Sequence, residues 1–342
     1  MLPRIFSTHD LGQKVLVTGG GGFLGFEICK QLKTHGFKSI YSLARSRYSK
    51  LEKLEIEQIQ TDLTDQNDLN KTLSKYEFDV VIHCAAKAGV WGDFDEYNKI
   101  NYVGTKNLAH FCLERVISNF IYTSTPSVVF GKDNLNGVNE SCKYPSKYLT
   151  HYAKTKSLAE RYLLSLGEEN KLKLIAIRPH LIWGKGDPHI LPRLLERASK
   201  NKLKVLGDGE NQVDIIHVSN AAHAHLLALR KLLTQQEYSK VFFVGQNEPV
   251  KLWEFTRKLI SHKYPNYKLK KVPLLVGYLT GACLEFLYKV LSLKGEPMMT
   301  RFVALQLGKS HYFSHQAVQK ELGYFELVST QQGIDQIHGR GL

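Results

Sequence analysis

Short apolar runs alternate with amphipathic stretches along the first two-thirds of the chain. The runs are 14–19 (KVLVTG), 39–44 (SIYSLA), 56–61 (IEQIQT), 79–84 (DVVIHC), 119–124 (NFIYTS), 173–178 (KLIAIR) and 241–245 (VFFVG). Each is too short for a stable helix and mostly apolar, which suits strands of a parallel sheet covered on both faces. Between them, periodic apolar positions predict helices over 23–35, 65–75, 95–115, 148–169, 190–200 and 219–233. Strands alternating with helices predict an α/β fold with a doubly wound parallel sheet of Rossmann type. Ligands of such a sheet bind beyond the carboxyl ends of its strands.

The pattern changes after residue 184, where Gly184, Gly186, Pro188 and Pro192 break the periodicity. The expected division is a dinucleotide-binding domain from 1–184 and 212–247, with a smaller, mostly helical substrate-binding region from 185–211 and 248–342. The most apolar stretch is 272–293, interrupted by Glu285 and Lys289. Its uncharged run stops at Leu284, short of the ~20 residues that span a bilayer. A packing helix or a cover over the substrate is the expectation. An interfacial helix is the alternative, so peripheral membrane contact through 272–293 stays open.

Composition narrows the classes. With 342 residues, 43% of them hydrophobic, the chain can bury a sizeable core. Its net charge of +14 fits a lysine-rich surface or attraction to an anionic cofactor, acidic substrate or membrane. No nucleic-acid-binding signature accompanies that charge, so nucleic acid is not an expected partner. Cys29, Cys84, Cys112, Cys142 and Cys283 are scattered without C-x-x-C spacing, as free thiols in a reducing compartment would be. No metal-ligand spacing occurs. His223 and His225 fall on different helix faces and are expected to be surface or packing residues. The first residues carry no apolar leader core, which points to the cytoplasm.

Two segments carry the chemistry. Residues 15–25 read V-L-V-T-G-G-G-G-F-L-G, a strand running into a turn and then a helix. Gly19, Gly22 and Gly25 allow the tight turn. They also let the amides at the helix start, around Phe23 and Leu24, approach a pyrophosphate. The second strand ends in Ala44-Arg45-Ser46-Arg47, with no acid between Ser39 and Leu51. Sites for NAD place an acid there for the ribose hydroxyls, whereas arginine suits a 2′-phosphate. Arg45 or Arg47 therefore predicts NADP(H), with NAD(H) as the alternative. Asp62, after the third strand, is placed to meet the adenine amino group. Tyr152 and Lys156 lie four apart on one helix face. A nearby ammonium lowers a phenol's pKa towards the working range, which suits proton transfer. Thr123-Ser124-Thr125 ends the fifth strand and offers a hydroxyl beside the tyrosine.

These features resemble the extended short-chain dehydrogenases/reductases. The matching motifs are T-G-G-G-G-F-L-G (18–25), D-L (62–63), H-C-A-A (83–86), Y-x3-N-x2-G-T-x-N from Tyr97, Y-T-S-T (122–125), Y-x-x-x-K (152–156) and R-P (178–179). The resemblance implies that Thr125 is the triad hydroxyl, with Ser124 as competitor. It makes Tyr152 the proton donor or acceptor and Lys156 its tuner. It makes Asn101 a helix-distorting or relay position, or a structural one. It adds Leu63, Ala85, Ala86, Lys87 and Pro179 to the cofactor site. A-A-K-A-G-V-W-G (85–92), R-P-H-L-I-W-G-K-G-D-P-H (178–189), V-S-N-A-A-H-A-H (218–225) and L-G-Y (322–324) resemble the 3β-hydroxysteroid dehydrogenase-like branch. Within it, the chain resembles the reductases of bacterial olefin biosynthesis. That implies NADPH-dependent reduction of a 2-alkyl-3-keto acid. Sterol or 3β-hydroxysteroid dehydrogenases are the rival reading, and a non-catalytic cofactor-binding scaffold or redox sensor is the rival of another class. Relatives commonly form homodimers through the Tyr/Lys helix.

Sugar-nucleotide epimerases of the superfamily carry Asn where this chain has Leu181, and dehydratases carry an acidic pair where it has Pro126 and Ser127. The expected substrate pocket is apolar instead: Val90, Trp91, His180, Leu181 and Trp183, suited to an alkyl or steroid body. Lys87, His180 and His189 are candidates to meet a carboxylate or oxygen.

Overall fold

A computed structural model describes residues 5–339. The first four residues, part of the segment read for a leader, lie outside it, as do the last three. Seven strands form one all-parallel sheet: β1 (Lys14–Thr18), β2 (Ser39–Ala44), β3 (Glu57–Gln60), β4 (Val80–His83), β5 (Asn119–Thr123), β6 (Lys173–Pro179) and β7 (Ser239–Val244). Their order is β3-β2-β1-β4-β5-β6-β7, which reverses direction between β1 and β4. That reversal opens a crevice at the carboxyl ends of the strands, where a doubly wound sheet takes its ligand.

Strand alternation divides the core. Val15 and Val17 point into one layer, with α1 (Phe23–His35) and α4 (Val218–Thr234). Leu16, between them, points into the other, with α2 (Gly104–Glu114) and α3 (His151–Glu168). Successive side chains on a strand face opposite sides, so a fully buried strand must be apolar throughout. The bounds of α1 follow from its flanking glycines. Gly22 precedes it, and Gly36 ends it at φ +96°, with its amide donating to Leu32 O and Lys33 O.

The segments outside this sheet form smaller layers. Leu135–Val138, Gln212–Val213, Val250–Lys251 and His311–Phe313 join in a four-stranded sheet. A third core beneath it holds Trp183, Trp253, Phe255 and Ile260. The apolar stretch forms α5 (Leu274–Val290), packed on α6 (Arg301–Gly308). Among the described residues no helix is long and apolar enough to cross a membrane, and no cluster of His, Cys, Asp and Glu could hold a metal. All five cysteines are free. His223 and His225 are not surface residues: both are fully buried, because α4 is apolar around most of its circumference.

Candidate active site

The glycine turn leads from β1 into α1. Gly19 sits at φ +70°, and a Cβ there would meet Ala85 Cα at 3.0 Å. A Cβ on Gly25 would lie 2.2 Å from Gly19 O, so the turn closes only on glycine. Gly22 caps α1 without a side-chain hydrogen bond, which leaves the first-turn amides of Phe23 and Leu24 for an outside acceptor. A cleft of about 390 Å³ opens beside them, lined by Gly19, Gly22, Arg45, Asp62, Leu63, Ala85, Ala86 and Lys87. Uncapped amides at a helix start, a glycine floor and an adjoining arginine fit a dinucleotide diphosphate. A second cavity of about 570 Å³ shares Gly22 and is bordered by Phe23. Leu24 contributes its backbone only, since its side chain is in the core.

The two arginines part company. Arg45 lines the cleft, whereas Arg47 turns towards Glu52, with 4.0 Å between Nε and Oε1. Asp62 lies at the cleft wall, where its carboxylate accepts from Thr64 N at 2.9 Å.

Thr150 caps α3 by accepting from Ala153 N, which fixes the turn that carries Tyr152. Burial pushes the Tyr152 phenol up to about 12, the Thr125 hydroxyl beside it pulls it down, and Tyr97 adds to the rise. Lys156 points elsewhere. Its Nζ donates to Thr123 O at 2.6 Å and lies 4.0 Å above the Tyr122 ring. Burial lowers this amine to about 7, opposed by the Glu160 carboxylate. The expected acidification of Tyr152 by Lys156 is therefore not what this geometry gives. A buried amine takes the nearest carbonyl, here at the end of β5.

Of the two candidate hydroxyls, the structure brings Thr125 to the tyrosine. Thr125 also accepts from Ser127 N, capping the short turn Pro126–Val128. Ser124 is drawn the other way. Its amide donates to Ile177 O and its hydroxyl favours the charged form of Glu160. Glu160 is fully buried and receives Arg178 Nη2 at 2.6 Å, Arg178 Nε at 3.0 Å and the Tyr144 hydroxyl at 2.6 Å. Burial opposes its ionisation, but Arg178 and these hydrogen bonds hold its pKa below the usual carboxylate value.

Asn101 sits in a π-helical turn, Asn98–Val103. Its Oδ1 accepts from Lys87 N at 2.7 Å, and its Nδ2 donates to Lys87 O and to Thr155 Oγ1. Both ends of the amide hold Lys87 in the loop after β4, and the Nδ2 end also reaches α3. The wider turn lets the side chain reach inward. Close by, Thr105 donates to Asn101 O, so its oxygen accepts from His83 Nε2–H. His83 Nδ1 then accepts from Thr18, whose oxygen accepts from Ala85 N. Lys87 Nζ is paired with Glu96 at 2.6 Å.

The expected substrate residues separate into two groups. Val90 packs on a small apolar cluster of Phe130, Phe302 and Leu305, joined by Tyr278 and Leu149. Trp91 meets Tyr288 edge-on at 6.2 Å. The others lie deeper. Trp183 is 1% exposed and stacks edge-on against Phe255 and His217, and Leu181 packs on the same third core. Trp183 is thus part of the core, whereas Leu181 stays partly exposed at its edge. His180 is paired with His311 at 2.6 Å, and His311 with Gln306 O at 2.8 Å. The carbonyl requires His311 Nε2–H, so His180 Nε2 is the donor in the pair. Burial and the neighbouring His311 hold His180 well below its usual pKa, so it offers no positive charge to a carboxylate. Pro179 ends β6, paired in register with Val244. Tyr278 comes from the apolar stretch 272–293, whereas Phe302 lies on a remote helix and follows no motif that the sequence offers.

The pattern of the 3-beta hydroxysteroid dehydrogenase/isomerase family is matched over residues 16–274. The chain belongs to that family. It is an NAD(P)-dependent oxidoreductase of the CH–OH/C=O type. It is 40% identical to the 2-alkyl-3-oxoalkanoate reductase of Shewanella oneidensis, over 94% of this chain and 84% of that one. The Stenotrophomonas maltophilia enzyme of the same name is 36% identical, over 94% and 97%. The decarboxylating sterol-4-alpha-carboxylate 3-dehydrogenase of Mus musculus is 31% identical, over 96% and 91%. Among solved structures, the UDP-glucose 4-epimerase of Thermotoga maritima superposes with a TM-score of 0.74 at 19% identity, over 96% and 98%. At that identity the likeness concerns the fold alone.

Proposed function

We propose that this family member reduces a 2-alkyl-3-keto acid to the 3-hydroxy acid, with NADPH as preferred donor. The observation that carries the reading is the Thr125–Tyr152 pair just past the carboxyl end of β5, two strands along the sheet from β1, which leads into the glycine turn. When bound, the reduced nicotinamide supplies a hydride to the ketone carbon. Tyr152, with its pKa near 12, holds its proton at neutral pH and gives it to the ketone oxygen. Thr125 orients that oxygen by donating its hydroxyl hydrogen. Lys156 anchors the end of β5 through Thr123 O and keeps a titratable amine one helical turn from the phenol. One hydride and one proton added to C=O give the secondary alcohol and oxidised cofactor.

Arg45, in the cleft wall just after β2, where residues 40–50 hold no acid, supports the preference for the 2′-phosphorylated cofactor. The apolar cluster around Phe130 and Val90 supports a long alkyl body. The two reductase relatives are named for such a substrate, and the sterol relative supplies the second reading. Absorbance of the reduced cofactor, followed with a 2-alkyl-3-keto acid and with a 3β-hydroxysterol, separates them. Turnover of the keto acid with NADPH supports the proposal. Turnover of the sterol alone transfers the chain to the second reading, and tight NADPH binding without turnover of either makes it a scaffold.

A further inference from the structure

Residues 19–22 are four glycines in a row, and the dinucleotide turn itself accounts for only Gly19 and Gly22. A Cβ on Gly20 would collide with the Ser42 hydroxyl on β2. Gly21 needs a separate reason. Its backbone lies outside the left-handed region, so alanine would suit its conformation. Yet a Cβ there would run into the Tyr48 ring, with Cγ at 2.5 Å and the adjoining ring carbons nearer still. Glycine stands at 21 because a phenol ring rests on it.

That ring is held in place. Tyr48 N donates to Gln58 Oε1 at 2.7 Å, and Gln58 Nε2 donates back to Tyr48 O at 3.2 Å. A side chain of β3 thus fixes the loop after β2 at this residue. Tyr48 lines the cleft together with Arg45 and Ser46, whereas Gly21 beneath it borders the second cavity. The ring therefore stands as a wall between the two spaces. Lys30, Lys50 and Lys185 border the second cavity, cations that would compete for a phosphate if the wall were missing. Tyr48 is 36% exposed, and among the described residues no group is hydrogen-bonded to its hydroxyl. A guanidinium, a serine hydroxyl and a free phenol hydroxyl along one wall are donors suited to a phosphate monoester. We propose that Tyr48 is a specificity-determining residue for the cofactor: its ring closes the adenosine end of the cleft, and its hydroxyl reads the 2′-phosphate beside Arg45. The inference rests on the NADPH preference proposed above. It divides the work, since Arg45 supplies attraction and Tyr48 supplies position.

The test is calorimetric titration of the full chain with adenosine 2′,5′-bisphosphate and with 5′-AMP, beside fluorescence titration with NADPH and NADH. The parent should favour the bisphosphate. Tyr48→Phe keeps the ring and removes the donor, so its melting temperature should match the parent. It should weaken the bisphosphate and NADPH by about tenfold, as one lost charge-assisted hydrogen bond does, and spare 5′-AMP and NADH. Tyr48→Ala removes the wall as well and should weaken all four ligands. Gly21→Ala should displace the ring and weaken NADPH, but change little once residue 48 is alanine. A parent that favours the bisphosphate, with Tyr48→Phe unchanged, overturns the role of the hydroxyl and leaves the NADPH preference standing. Equal losses from Gly21→Ala with and without the ring overturn the wall. A parent that binds 5′-AMP as tightly as the bisphosphate overturns the NADPH preference and this inference with it.

Discussion

Replacing Tyr152 by phenylalanine removes one hydroxyl and little else. The ring keeps its place on α3. The structure gives the phenol one close polar neighbour, the Thr125 hydroxyl. Loss of a single hydrogen bond of that kind costs about 1 kcal/mol of stability. The catalytic effect is far larger. A positioned general acid contributes roughly 10²- to 10⁴-fold, or about 3–5 kcal/mol of barrier. The expected outcome is a kcat lower by about 10²–10⁴, with NADPH affinity and melting temperature nearly unchanged. The measurement is kcat from absorbance of the reduced cofactor, beside fluorescence titration with NADPH. The pH profile adds a second reading. With its pKa near 12 the phenol stays protonated through neutrality, so the group that titrates first is Lys156, near 7. The kcat/KM for reduction should fall as pH rises through about 7, and that limb should vanish in Lys156→Met. A Tyr152→Phe enzyme within tenfold of the parent kcat refutes the reasoning, because the phenol beside Thr125 is the proton donor on which it rests.

Arg45→Ala should weaken NADPH by about tenfold or more while sparing NADH, as expected of one lost charge-assisted contact. Arg47→Ala should leave both affinities in place, since that side chain turns to Glu52. Glu160→Gln strands Arg178 without its anion in a site with no water access, and urea unfolding should report a loss of about 3–5 kcal/mol. Acid should destabilise the fold early. Burial holds His83 near 3 and His217, His223 and His225 near 4, against 6.5 for a free imidazole. The unfolded chain therefore takes up protons first. Stability is intact above about pH 6.5 and is lost as pH falls towards those folded values, on the order of 3 kcal/mol per residue. Equal urea midpoints at pH 7 and pH 5 would contradict this.

The central strands were legible because burial on both faces leaves them mostly apolar, as in Val80–His83 and Lys173–Pro179, whereas the edge strand Glu57–Gln60 is largely polar and half exposed. The start and end of α1 were legible because Gly22 and Gly36 bracket it. The four-stranded sheet was not. Leu135–Val138 pairs with His311–Phe313, far along the chain, and neither has the length or alternation that marks a strand. Motif spacing named Arg45 and Arg47 alike, since both follow the end of β2 and the sequence does not show which one turns into the cleft. It also put Trp183 in the pocket, because a tryptophan near a binding loop looks the same whether it faces substrate or core. Spacing four apart set Tyr152 and Lys156 on one helix side. It could not show that the amine would be captured by Thr123 O.

Leu181 follows His180 at φ +43°, a left-handed conformation that costs a branched residue about 1–2 kcal/mol. Asparagine tolerates that geometry, and asparagine is the residue that sugar-nucleotide epimerases hold at this place. The main chain here thus retains a bend better suited to an amide than to an isobutyl group. Leu181→Asn would relax the bend while surrendering apolar packing in the third core. The two changes have opposite signs and similar size. Exchange for asparagine should therefore cost less stability here than at a core leucine whose backbone is relaxed.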